Sequence, residues 1–228
     1  MKLSEFKKFF VNEEKGLVGL LVTILLLIFV VYPLAGSGII GKLPENILIT
    51  ISVIMALISI NVFKDKKGLI FIFAVIVFSF NLINIFTDNI IIKDLHQIGK
   101  TGFYFTITLF VLKKVFKSEN VNRFTIVGSI VVYLLFGLMW GTLYSFCYIN
   151  IPHCYNFENI PVPNSDLTSE FIYYSFITLT TVGYGDITPA IPFTRSLAIF
   201  EGLIGQLYPV VMIGTIISMR VERKSSGK

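Results

Sequence analysis

The sequence predicts an all-α membrane protein: six transmembrane helices plus a re-entrant helix that leads into a loop. Three observations carry this. Several apolar runs approach the roughly 20 residues that a bilayer core demands of a helix. Lysines and arginines gather on alternate connections between those runs. One further run, "EFIYYSFITL", has ten residues and is too short to cross. Only 14% of the 228 residues are charged, against about a quarter in a soluble domain. Length alone would suit one or two soluble domains, but the apolar runs exclude them. Two cysteines are too few for a disulfide framework.

The opening "MKLSEFKKFFVNEEKG" mixes lysines with phenylalanines, so residues 1–15 read as a cytoplasmic or interfacial amphipathic segment. The first span is Gly16–Ala35. A basic start before an apolar run also suits a signal peptide. The run exceeds the usual length of about 7–15 residues, however, and no small-residue cleavage site follows. The second span is Asn46–Phe63, the third Gly68–Phe86, and the fourth and weakest Gly102–Phe116. Together, residues 16–117 form a four-helix unit. Residues 124–220 form a second unit, with an outer helix over 124–149, an outer loop over 150–169 and the short helix over 170–180. A polar loop over 181–186, an inner helix over 193–219 and a cytoplasmic tail over 221–228 complete the chain.

Orientation follows from charge. The N-terminus has Lys2, Lys7, Lys8 and Lys15, and the connection after the second span has Lys64, Lys66 and Lys67. Lys113, Lys114, Lys117 and Arg123 follow the fourth span, and Arg220, Arg223, Lys224 and Lys228 close the chain. These put both termini in the cytoplasm of a multi-pass cell-membrane protein. Only Lys42, Lys93, Lys100 and Arg195 fall on the outer side. Without a crossing at the fourth span the basic loop after it would change sides, so parity keeps that span. Between Phe124 and Thr194 there is no Lys or Arg, while Glu158, Asp166, Glu170 and Asp186 are present. Carboxylates around an opening concentrate cations.

The segment "TLTTVGYGDITP", Thr178–Pro189, interrupts this apolar chain with hydroxyls and glycines. Non-helical backbone at membrane depth is tolerated only where protein buries it or where it lines a watery cavity. Gly183 and Gly185 can adopt backbone angles that other residues avoid, so successive carbonyls can point to one side. Thr181, Val182, Gly183, Tyr184 and Gly185 would then present a ladder of oxygens able to replace the water around a dehydrated cation. One chain supplies one wall of such a ladder, so four chains around an axis are required.

Thr178, Thr181, Gly183, Tyr184, Gly185 and Asp186 fit the pattern T-x-x-T-x-G-Y-G-D. On these residues the chain resembles a potassium channel of the tetrameric, voltage-gated-like cation channel superfamily, and its Ile, Phe, Asn and Lys bias suggests a prokaryotic type. The resemblance covers Phe124 to about Arg220; the first four helices are similar only in number and topology. It implies a homotetramer in the lipid bilayer that conducts K+ passively and selectively. It implies no cofactor, potassium being the permeant ion, held at Thr181, Val182, Gly183 and Tyr184. A weakly selective cation channel and a membrane subunit of a potassium transporter are the alternatives. The transporter is disfavoured because only one intact motif is present, and an enzyme because no His, Cys or carboxylate cluster has catalytic spacing. Nucleic acid is not an expected partner.

The resemblance also implies roles by position. Thr178, Tyr173, Tyr174 and Asp186 would support the filter, with Tyr173 bonding to Asp186 and Tyr174 to Tyr184. Ser169 suits the N-cap of the short helix, whose negative C-terminal end would favour a cation. Relatives with a glutamate behind the filter carry it where this chain has Ile177. Gly205 has the spacing of a gating-hinge glycine, with Gly202 and Pro209 as further candidates; close packing of membrane helices is the competing reading. Glu201 is near mid-membrane and so functional by default, either behind the filter or facing the cavity. The fourth span lacks arginines at every third position, so voltage gating is not expected. No appended soluble regulatory domain is expected either. Cys147 and Cys154 read as free thiols or as a pair across a helix end. His96 and His153 read as solvated outer-loop residues.

Overall fold

The computed structural model describes residues 13–36, 90–118, 122–158 and 167–226, with the single positions 47, 51 and 79. Nearly all of the first amphipathic segment, the second and third expected spans and residues 159–166 of the outer loop lie outside these.

Helix α1 spans Glu13–Leu26 and runs through a π-helical turn, Leu27–Val31, into α2, Tyr32–Gly36. Its apolar stretch matches the expected first span, Gly16–Ala35. α3 spans Ile90–Phe116, α4 Arg123–Asn150 and α5 Thr168–Leu179. α6 has 35 residues, Pro192–Ser226, and is the longest among the described residues. Two short strands, β1 (Tyr155–Phe157) and β2 (Ile187–Pro189), pair antiparallel with Asn156 opposite Thr188. Among the described residues three helical stretches are long and apolar enough to cross a membrane: Gly16–Leu34, Arg123–Asn150 and Pro192–Val221. α4 is the hub, packing against α1, α3, α5 and α6. A stripe of α1 (Leu17, Leu20, Ile24) and one of α3 (Ile107, Val111, Val115) are buried in one core with Val131, Val132 and Leu135 of α4.

Small residues on α4 let its neighbours come close. A Cβ at Gly128 would stand 2.6 Å from Val115 of α3, and one at Gly141 would stand 2.7 Å from the Ile172 backbone of α5. α4 starts at a real cap: Asn122 Oδ1 accepts from the Thr125 amide at 2.9 Å.

Three expectations need correction. α3 begins at Ile90, twelve residues before the expected fourth span, so Lys93, His96 and Lys100 belong to a helix rather than an outer loop. His96 and Lys100 are buried, at 5% and 1% exposure. Polar side chains hid this turn of helix from a hydropathy reading, because their partners are on α4. Gln97 donates to the Thr142 carbonyl at 3.1 Å, and Thr101 bonds the Thr142 hydroxyl at 2.9 Å. Ser169 is not the N-cap of α5, since Leu167 precedes the helix and no side chain caps it. The Thr168 hydroxyl instead lies 3.2 Å from that of Ser145 on α4, so tertiary contact sets the helix start. Finally, α6 stays helical to Ser226 through the expected tail, with Pro209 inside it.

Candidate functional site: the loop after the re-entrant helix

α5 is twelve residues long, about 18 Å at 1.5 Å per residue, far short of the hydrocarbon thickness. It descends beside α4 and ends in the expected filter. The turn there is held by the end of the helix itself. The amides of Val182 and Gly183 both donate to the Ile177 carbonyl, at 2.8 and 3.2 Å, and Thr181 N donates to Thr178 O. Positive φ angles recur at alternate residues: Thr181 at 60°, Gly183 at 57° and Gly185 at 81°. Alternation of left-handed with ordinary residues aligns successive peptide dipoles on one side of the chain. A threonine in the left-handed region is strained, and two bonds hold it. Its hydroxyl donates to the Thr180 carbonyl at 2.7 Å and accepts from Gln206 Nε2 of α6 at 3.1 Å.

Above the loop, Asp186 is clamped from two sides. Tyr173 of α5 donates its hydroxyl to Oδ2 at 2.6 Å, and the Ile187 amide donates to Oδ1 at 3.0 Å. The Asp186 carbonyl accepts from Glu158 N, and Cys154 O accepts from Ala190 N and from the Thr194 hydroxyl. The small sheet therefore fixes the exit of the loop to the end of α4. Loss of hydration and the bond to Asp186 push the Tyr173 phenol up to about 12. Burial, then the Asp186 charge, raises the Glu170 carboxyl.

Tyr174 is 4% exposed. It is buried in a cluster of rings, 5.0 Å from Tyr144 and 5.7 Å from Tyr155 between centroids. Phe171, Tyr148 and Phe157 extend the cluster outward. These rings brace the back of α5. Cys147 and Cys154 are free and buried, with the Cys154 thiol 3.6 Å from the Cys147 carbonyl. His153 is exposed, as expected, and has φ 53°.

At its lower end α5 is gripped by both long helices. Tyr133 of α4 donates to the Leu179 carbonyl at 3.3 Å, and a Cβ at Gly205 of α6 would overlap that same oxygen. Gly205 thus meets the packing reading directly. Gly202, by contrast, has nothing within 4 Å of its Cβ position. Sequence reasoning missed Gln206 altogether and left Glu201 undecided. Glu201 is 0% exposed and lies behind α5, accepting from Tyr144 and Ser175. Spacing gave one usable signal for both: Glu201 and Gln206 flank Gly205 on the helix that closes behind the motif.

On the open side the loop is bare. Val182 is 53% and Tyr184 72% exposed, and α6 presents Ile199, Leu203, Leu207 and Val210 outward. Among the described residues no group of three or more His, Cys, Asp or Glu is placed to hold a metal ion.

Residues 123–222, less than half of the chain, match the ion channel family model. The curated proteins the chain is similar to include potassium channels. The chain is 39% identical over 61 residues to a voltage-gated potassium channel of Aeropyrum pernix, covering 26% of this chain and 21% of that one. It is 28% identical over 97 residues to two-pore potassium channel 5 of Arabidopsis thaliana, covering 42% and 21%. Protein LctB of Bacillus caldotenax is 42% identical over 59 residues, covering 23% and 43%. The matches span less than half the length of these relatives. No solved structure matches.

Proposed function

We propose that this protein is a potassium-selective channel that conducts K+ passively and works as a homotetramer of six-helix subunits in the cell membrane, both termini cytoplasmic. The alternating positive φ angles at Thr181, Gly183 and Gly185, with the amides of Val182 and Gly183 tied back to Ile177, carry this reading. A loop built this way offers Thr181, Val182, Gly183 and Tyr184 carbonyls to a dehydrated cation, the mode of selectivity that such filters use. One loop presents its oxygens to one side only, and Tyr184 stands exposed there. Three further copies around an axis would complete the coordination and cover the outward face of α6. Thr178, Tyr173, Tyr174 and Asp186 support the loop, Gly205 packs against it, and Gly202 and Pro209 are the remaining hinge candidates.

Gating by voltage is not part of the reading. α3 carries Lys93, Lys100, Lys113 and Lys114 and no arginine, without the repeated three-residue spacing that moves several charges through the field. The deciding experiment is flux from liposomes under a potassium gradient, repeated with sodium and with barium. Potassium flux well above sodium flux, blocked by barium, is expected. Equal flux of the two ions would sink the selectivity, and a monomer by mass measurement in nanodiscs would sink the assembly.

A further inference from the structure

Glu201 is a fully buried carboxyl on α6, one turn before Gly205. Its Oε2 accepts from the Tyr144 hydroxyl of α4 at 2.7 Å, and its Oε1 accepts from the Ser175 hydroxyl of α5 at 2.5 Å. Ser175 Oγ also lies 2.8 Å from the Gly137 carbonyl of α4. One side chain therefore joins three helices at the middle of the re-entrant helix. Two residues further along α5 is Ile177, whose carbonyl holds the amides of Val182 and Gly183. A shift of α6 relative to α5 disturbs this junction and, through less than one turn of α5, the filter amides, alongside the direct contacts of α6 at Gly205 and Gln206.

We propose that Glu201 is a positioning residue that couples the inner helix to the selectivity filter through Ser175, with Tyr144 fixing its orientation. This rests on the channel reading above. A buried polar group between packed helices is expensive unless each partner is matched, and here each carboxyl oxygen has a hydroxyl within bonding distance, the single Ser175 proton being shared with the Gly137 carbonyl. The site lies on the inner helix, so a carboxyl behind the filter is supplied from α6 in a chain that has Ile177 on the helix itself. The arrangement makes the state of the filter depend on where α6 stands.

The experiment uses the full chain in liposomes and planar bilayers, with Glu201→Met, Glu201→Gln, Ser175→Ala and Tyr144→Phe. Glu201→Met keeps the volume and removes both acceptors. It is expected to lower the potassium-to-sodium flux ratio about fivefold, the factor one net hydrogen bond carries, and to speed current decay. Glu201→Gln keeps an oxygen for Tyr144 and an amide for Ser175, and should retain the wild-type ratio and decay. Ser175→Ala should reproduce Glu201→Met, and the double variant should be no worse than either alone, as coupled sites require. Should Glu201→Met fail to assemble, Ser175→Ala and Tyr144→Phe give the same readouts. Unchanged selectivity and decay in assembled Glu201→Met, or in Ser175→Ala, overturns the coupling. A wild type that passes no potassium overturns the channel reading and this proposal together, so the two failures are told apart.

Discussion

The Tyr173 hydroxyl donates to Asp186 Oδ2 at 2.6 Å, across the thirteen residues that hold the end of the re-entrant helix and the whole filter motif. This bond closes a loop whose other closures are backbone bonds at Ile177 below and the β1–β2 pair above. It is a side-chain strut on the outer end of the proposed filter, where Arg195 also donates to the Pro189 carbonyl. Tyr173→Phe removes only the hydroxyl and leaves the Asp186 carboxylate half-solvated. The expected cost is about 0.5–1.5 kcal/mol, seen as faster decay of potassium current with conductance kept. Decay identical to the wild type in a planar bilayer would remove Asp186 from the support of the filter.

Gly205 and Gly202 separate packing from hinge. A Cβ at Gly205 overlaps the Leu179 carbonyl oxygen, whereas one at Gly202 meets nothing within 4 Å. Gly205→Ala forces α6 away from α5 and should cost about 1–3 kcal/mol, as overpacking does. Gly202→Ala should be neutral or mildly stabilising, because alanine is the better helix former. The thermal midpoint of the assembled protein in detergent measures both. A Gly205→Ala protein as stable as the wild type would return Gly205 to a purely conformational role.

The motif was legible because its chemistry is local. The positive φ at Gly183 and Gly185 follows from their residue type, whereas that at Thr181 does not and is held by bonds to Thr180 and Gln206. The outer and inner helices were legible from apolar length, each within a few residues of the observed α4 and near the start of α6. What stayed hidden depends on partners far along the chain. Lys100 and His96 look like loop residues until Gln97 and Thr101 meet Thr142 across the helix pair. Ser169 looks like a cap until Thr168 docks on Ser145. Glu201 was ambiguous because its two donors, Ser175 and Tyr144, are 26 and 57 residues away.

Glu170 gives a pH dependence with a defined sign. Burial first and the Asp186 charge second raise its carboxyl, so it takes up a proton at higher pH than the ordinary glutamate value of about 4.3. In the folded protein the proton is bound more tightly than in the unfolded chain. The penalty for burying the charge is therefore felt above the folded value and relieved as pH falls through it. Conduction runs the other way, because neutral Glu170 no longer concentrates cations at the outer mouth. Conductance at low potassium should fall as outer pH drops, starting above the range of an ordinary glutamate. Glu170→Gln should have lower conductance throughout and a flatter profile. A titration that Glu170→Gln leaves unmoved would assign it to another carboxylate.

Gln206 bonds the first residue of the proposed filter. Its amide nitrogen donates to the Thr181 hydroxyl at 3.1 Å, while that hydroxyl donates its own proton to the Thr180 carbonyl. One of the two lone pairs on Thr181 Oγ1 is thus occupied by protein rather than offered to an ion. A divalent cation that lodges at the innermost site needs those hydroxyl oxygens more than potassium does, since its dehydration is costlier. Gln206→Ala releases the lone pair and leaves the exposed face of α6 otherwise intact. Barium block should then tighten about fivefold, the equivalent of about 1 kcal/mol for one hydrogen bond no longer competing. Gln206→Asn is too short to span the same gap and should behave as alanine does. Thr181→Ser keeps the hydroxyl and should keep wild-type block, while Thr181→Val should weaken block below it whether or not Gln206 is present. Block by barium equal in wild type and Gln206→Ala would mean that the Thr181 hydroxyl is engaged by its own backbone alone, with α6 leaving the inner site untouched.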